Sequence, residues 1–164
     1  MIERLRPDHA PALLVFEREN RAYFARSISD RGDDYFTHFT DRHQALLAEQ
    51  TAGICHFHVI TGESGEILGR INLVDVSDGT AELGFRIAEK AAGKGLATAA
   101  VREVLKLATE SYGLTTIRAA AAITNIGSRT VLTRTGFKPT GEEVDLVGKP
   151  GLRYLLNLNG PDER

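Results

Sequence analysis

Gly93 and Gly95, with Lys90 and Lys94 beside them, are the residues of this chain best placed to hold a ligand. Neither glycine has a Cβ, so a ligand can approach the backbone closely and unusual φ values cost little. The residues after them, Leu96 to Tyr112, carry a helical pattern. The first amides of a helix have no partner within it, and the helix dipole adds partial positive charge at the same point. A phosphate or pyrophosphate is the natural guest, and Lys90 and Lys94 would add direct charge. A glycine turn that only joins a strand to a helix has the same text, so spacing alone leaves both readings open.

The loop needs elements to position it. Before it, Ala81 to Ala88 is rich in apolar and aromatic residues, as suits a strand. After it, Ala97, Ala100, Val101, Val104, Leu105 and Ala108 share one helix face. Arg102, Glu103, Lys106, Thr109 and Glu110 share the other. Gly113 stands where a left-handed helix cap is expected.

The loop is neither of the two commonest phosphate binders. A Walker loop requires GxxxxGK[ST], which the residues around Gly93 do not supply. A Rossmann fingerprint requires a third glycine, and Gly93-Lys94-Gly95 is followed by Leu96-Ala97-Thr98. The stretch Lys90-Ala-Ala-Gly93-Lys94-Gly95 instead resembles the [QR]-x-x-G-x-[GA] acetyl-CoA pyrophosphate loop of the GNAT acetyltransferases, with lysine in the first position. The preceding text, Glu82-Leu-Gly-Phe85, resembles the strand of the branch that acetylates ribosomal-protein N-termini, the RimJ/RimL-like enzymes. About 30 residues on, Asn125-x-x-Ser128-x-x-Val131-Leu132-x-x-x-Gly136-Phe137 resembles that branch's second cofactor motif. Two motifs in this order carry far more weight than either alone.

The remaining chain gives one domain, residues 1–164, long enough to bury a sizeable core. Met1 to Arg6 is a first strand candidate, and Asp8 is placed to cap a helix reaching about Asn20. Residues 20–34 read as a loop or broken helix enriched in Arg21, Tyr23, Phe24 and Arg26; the resemblance implies that these side chains lie over the acceptor pocket, with a solvated connection held by aromatic anchors as the plain alternative. Tyr35 to Gln50 reads as one amphipathic helix, with His38 and His43 taken as surface or capping residues. Strand candidates 54–61, 67–76 and 81–88 form an antiparallel meander. On the first of them Cys55, Phe57 and Val59 alternate with His56 and His58, which face either an acceptor pocket or water. Thr115 to Ala122 must return parallel to residues 81–88 through a crossover. Asn125 or Thr124 caps a short helix that Gly136 ends. Two strands follow, 138–147 and 152–159, with a turn at Pro150-Gly151, then a loose tail from Asn159.

Composition narrows the function classes. The net charge of -2 gives no pull toward nucleic acid, an anionic membrane or a strongly charged acceptor. The single cysteine excludes an internal disulfide and a cysteine-rich metal site, and fits a reducing, cytoplasmic setting. No histidine–carboxylate set has metal-ligand spacing, so no metal is assigned. No apolar run is long enough to span a bilayer, and no leader peptide is recognisable.

The resemblance implies an α+β GNAT acyl-CoA N-acyltransferase fold: a mixed, mostly antiparallel sheet with helices on both faces. It implies acetyl-CoA as cosubstrate and direct transfer to an amine, either a protein N-terminus or a small molecule, by a monomer or homodimer. Gly93, Lys94, Gly95, Leu96, Ala97, Thr98 and Lys90 would grip the pyrophosphate. Phe85, Arg86 and Ile87 would pair with the pantetheine arm like an added strand. Asn125 would reach the same arm, with helix capping as its plain alternative. Glu82 would be the general base, with cross-sheet pairing as its alternative. Ser128 would assist the leaving thiolate, or serve only the first turn of its helix. A non-catalytic CoA-binding sensor or interaction domain is the competing class.

Overall fold

The computed structural model describes residues 1–159; residues 160–164 of the expected tail lie outside them. The elements are β1 (Ile2–Arg4), α1 (Ala10–Glu19), α2 (Arg21–Ala25), α3 (Asp33–Thr37), α4 (Phe39–Thr51), β2 (His56–Thr61), β3 (Ile67–Ser77) and β4 (Thr80–Ile87), then α5 (Leu96–Glu110), β5 (Thr116–Ala122), α6 (Ile126–Arg134), β6 (Lys138–Leu146) and β7 (Lys149–Asn157). The seven strands form one sheet in the order β1-β2-β3-β4-β5-β7-β6. Every neighbouring pair is antiparallel except β4 and β5.

Helices cover both faces, because the strands alternate. On one face Ile71, Leu73, Ala81, Leu83 and Ile117 meet the apolar stripe of α5, including Val101, Val104 and Ala108. On the other, Phe57 and Val59 meet Leu13 and Phe16 of α1, Tyr35 of α3 and Phe39 of α4. Gly113 takes the expected left-handed conformation at φ 67. The Leu114 N–H then closes α5 onto the Ala108 carbonyl at 2.9 Å.

Four local expectations give way to the structure. Asp8 caps nothing: a 3-10 turn, Pro7–His9, precedes α1, and the Asp8 carboxylate binds Arg6 Nε at 3.0 Å. The single helix expected from Tyr35 breaks at His38 into α3 and α4. His43 is buried rather than on the surface, with Nε2 3.0 Å from the Arg6 carbonyl and its ring on Phe39. The last hairpin turns at Val147-Gly148, both at positive φ, and not at Pro150-Gly151. Pro150 and Gly151 instead pair with Asp145 and Val144, and Leu146 packs over the bare Gly151 backbone.

His56 and His58 lie on the α5 face, under Tyr112 at the end of that helix. The His56 ring stacks on Tyr112 with centroids 3.7 Å apart. His58 is 1% exposed; its Nδ1 is 3.1 Å from the Ile71 carbonyl and its Nε2 2.6 Å from the Tyr112 hydroxyl. A carbonyl only accepts, so Nδ1 carries the proton and Nε2 accepts from Tyr112. Burial, with Arg4 nearby, pushes the His58 pKa down to about 4. The fold therefore favours the neutral ring. That stabilisation is complete above the unfolded value near 6.5 and is lost as pH falls toward 4. Denaturant titrations at pH 7 and 4.5 are expected to show the native protein losing more stability than His58→Asn, with an upper bound of about 3 kcal/mol on the difference. Equal losses would show that His58 is not the acid-labile group.

Candidate active site

The site begins where β4 leaves β5. Their parallel pairing runs only from Thr80–Glu82 to Thr116–Arg118. Beyond it β4 continues to Ile87 and β5 to Ala122, while β5 stays paired with β7 along its whole length. The result is a wedge between two parallel strands. Backbone polar groups line its inner edges, where an extended, amide-bearing ligand can pair with them.

The crossover chain closes the mouth of this wedge. Gly93 and Gly95 have φ of 75 and 77, so each glycine is required by its backbone. A Cβ built at either position meets nothing within 4 Å, so the space before the loop is open. Gly95 is the N-cap of α5, with no side-chain cap. The first intrahelical bond is that from Ala99 N–H to the Gly95 carbonyl, 3.1 Å. The amides of Leu96, Ala97 and Thr98 precede it and are left for a ligand.

A cavity of about 380 Å³ joins these parts. Its walls include Phe85, Arg86 and Ile87 of β4, Gly93 and Gly95 to Thr98 of the loop and α5, and Asn125 and Ser128 at the start of α6. Ten of the expected cofactor residues thus line one space. Lys90 and Lys94 do not line it. They face an adjoining hollow with Glu66, Leu68 and Ala99, because the 3-10 turn Glu89–Ala91 and the left-handed glycines turn their side chains outward. Asn125 caps α6: its Oδ1 accepts from Ser128 N–H at 3.2 Å. Its amide nitrogen remains a donor for a ligand.

The cavity residues of α6 beyond Asn125 and Ser128 escaped the sequence reading as site residues, whereas Tyr23 and Phe24 had been singled out in it. Thr130, Val131 and Arg134 of α6 line the cavity with Gly127, and their helical spacing from Gly127 was the available signal. Arg134 is the cavity's cation on that wall. Tyr23, Phe24, Ser27 and Ile28 close the opposite side. These come from the segment read as a loop or broken helix, part of which is α2.

Glu82 stands outside the cavity, at the last paired residue before the wedge opens. Glu82 is partly buried, and it has the cross-sheet pairing named as its alternative. Glu82 is about one-third exposed and lies 3.3 Å from Arg153 Nη1 and 3.8 Å from Arg118 Nε. Two residues along the same face is Gly84. Its φ is unexceptional and an added Cβ would meet nothing within 4 Å, so there is empty space above it. Two residues further on the same face is Arg86, whose Nη1 reaches Glu17 of α1 at 3.1 Å. His56 and His58 are on the other face of the sheet, away from Glu82. Among the described residues no group of three or more His, Cys, Asp or Glu is arranged to hold a metal ion, and no helix is long and apolar enough to cross a membrane.

Comparison with known proteins agrees with this geometry. The chain is 30% identical over 162 residues to the probable N-acetyltransferase YjcK of Bacillus subtilis, covering 92% of this chain and 88% of the relative. Among solved structures, the ribosomal-protein-S5-alanine acetyltransferase of Vibrio fischeri superposes with a TM-score of 0.90 at 17% identity, over 97% of this chain and 93% of its own. Mycobacterium smegmatis RimJ, solved with CoA-disulfide, superposes with a TM-score of 0.84 at 24% identity, over 95% and 80%. Residues 1–138 match the Acetyltransferase (GNAT) domain family: with its glycine loop at the mouth of a split between parallel strands, the chain belongs to the GNAT acetyltransferases and uses acetyl-CoA.

Proposed function

We propose that the protein transfers acetyl directly from acetyl-CoA to a primary amine, of a protein N-terminus or a small molecule, in the cytoplasm. The observation that carries this reading is the wedge with its glycine-loop mouth. It can hold the cofactor's pyrophosphate and its amide-rich arm at once, and it opens on the Gly84 face for a second substrate. The Vibrio fischeri neighbour, a ribosomal-protein acetyltransferase, supports the N-terminal alternative.

In this reading the loop and the amides of Leu96, Ala97 and Thr98 bind the pyrophosphate, with Arg134 supplying charge from α6. The open edge of β4 at Phe85 to Ile87 pairs with the pantetheine arm. A β4 backbone amide there stabilises the oxyanion. The amine enters over Gly84 and attacks the thioester carbonyl. Glu82, held at the head of the wedge by Arg118 and Arg153, takes the amine proton. Ser128, on the cavity wall, donates to the departing thiolate.

Binding comes first. Acetyl-CoA at ~100 times its dissociation constant is expected to stabilise the fold by ~2.7 kcal/mol. Gly95→Ala is expected to lose more acetyl-CoA affinity, by calorimetry, than the roughly 1–2 kcal/mol that its positive φ costs the fold. A folded protein with no response to acetyl-CoA would remove the cofactor role from this loop.

Chemistry is separable from binding. Glu82→Gln is expected to lower turnover ~10²–10⁴-fold with acetyl-CoA affinity nearly unchanged. Near-normal turnover, measured as thiol release, would move the base elsewhere. Ser128→Ala is expected to cost a smaller factor, roughly 3–10-fold in kcat, since one hydrogen bond is lost in the transition state. Equal losses of stability and cofactor binding, with kcat intact, would leave Ser128 a purely structural residue.

A further inference from the structure

On the acceptor side of β4, Glu17 of α1 is surrounded by three guanidinium groups. Arg31 binds it through Nε at 3.0 Å and Nη2 at 3.2 Å, Arg70 through Nη1 at 2.8 Å, and Arg86 through Nη1 at 3.1 Å. Glu17 is 1% exposed, and the side chains of Arg70 and Arg86 are 4% and 17% exposed. One carboxylate thus serves three cations in a largely dry setting. Its four hydrogen bonds take up its acceptor sites, while the guanidiniums retain further donors. Tyr35 supplies only a hydroxyl, to Arg70 at 3.1 Å.

The other charges nearby do not redress the balance. Asp30 and Asp33 are bound by Arg21, and Asp34 by Arg42. Along the same sheet face, Glu82 is shared by Arg118 and Arg153. The arginines are also held in place: Arg31 lies over the Tyr35 ring at 4.5 Å and Arg86 over the Phe24 ring at 4.7 Å.

We infer that the acceptor amine also carries an anionic group, a carboxylate or phosphate, which docks on Arg31 and Arg86 while the amine lies over Gly84. This rests on the acetyl-transfer reading above and names the substrate class it left open. The position fits. Arg86 lines the cavity, and its Cα is two residues, about 7 Å, along β4 from Gly84 on the same face, so one short molecule can lie over Gly84 and reach Arg86. The energetics fit as well. Uncompensated charge in a dry site is costly, and an incoming anion removes the deficit. The deficit falls on Arg86: burial, with Arg31 and Arg70 adjacent, lowers its pKa to about 10 despite Glu17. Arg70 is shifted the other way; burial lowers it, but Tyr35 and Glu17 outweigh that.

The test uses matched amines that differ only in the anion: phosphoethanolamine and ethanolamine, phenylalanine and phenethylamine, and peptides beginning Ser-Asp-Glu and Ser-Asn-Gln. Thiol release from acetyl-CoA gives kcat/KM, and calorimetry on the CoA complex gives affinity for each member. The anionic member of at least one pair is expected to bind and react about tenfold better or more, as a charge-assisted bond allows. Which pair responds separates a small molecule from a peptide. Arg31→Gln is expected to erase the preference and Arg31→Lys to restore part of it, with acetyl-CoA affinity held as the control. Equal or better reaction of the neutral partners, or no binding of any anionic member to the CoA complex, overturns the inference. Failure to bind acetyl-CoA at all would instead overturn the acetyl-transfer reading.

Discussion

The parting of β4 from β5 is the constraint on which the rest of the molecule depends. Two parallel strands can be joined only by a crossover, and a crossover leaves from the C-terminal end of the first strand. The split runs toward that same end. Topology alone therefore sets the start of α5 at the mouth of the wedge, with its free amides facing in. The wall opposite stays rigid because β5 is paired with β7 along all seven residues. The split leaves backbone donors and acceptors on facing edges, and these need partners. A ligand rich in amides satisfies them as a missing strand would.

Much of this was legible because it was local. The glycine loop, the α5 stripe and the Asn125 cap are each written within a few residues, where period and residue type decide the outcome. The meander of β2, β3 and β4 was legible for the same reason. The errors were also local, where competing signals were close in strength. Pro150-Gly151 has better turn chemistry than Val147-Gly148, yet the sheet took the latter because Gly151 gives Leu146 room to pack. Asp8 was a sound cap by type, but Arg6 claimed its carboxylate.

What was hidden was everything assembled from distant residues. Glu17, Arg31, Arg70 and Arg86 come from α1, a loop, β3 and β4, and no periodicity links them. The overall charge of -2 even pointed away from a cationic site. Net charge averages over a surface, while recognition depends on the few charges removed from water. Glu82 was identified by its place in a motif, but its partners Arg118 and Arg153 lie on β5 and β7 and appear only when the sheet is built. His56 and His58 posed a question of facing that only the packing of Tyr112 could answer.

Gly84 has an extended backbone that any residue could adopt, so nothing in the fold itself demands glycine there. Among the described residues nothing lies within 4 Å of a Cβ added there either. In the proposed reading, where the acceptor amine enters over Gly84, the position is a sieve whose mesh is set by one side chain. Enlarging that residue would then narrow the range of acceptors without disturbing the loop proposed to hold the cofactor. In a lineage of such enzymes, substrate range can then diverge by single steps at one strand position while the acetyl donor stays fixed.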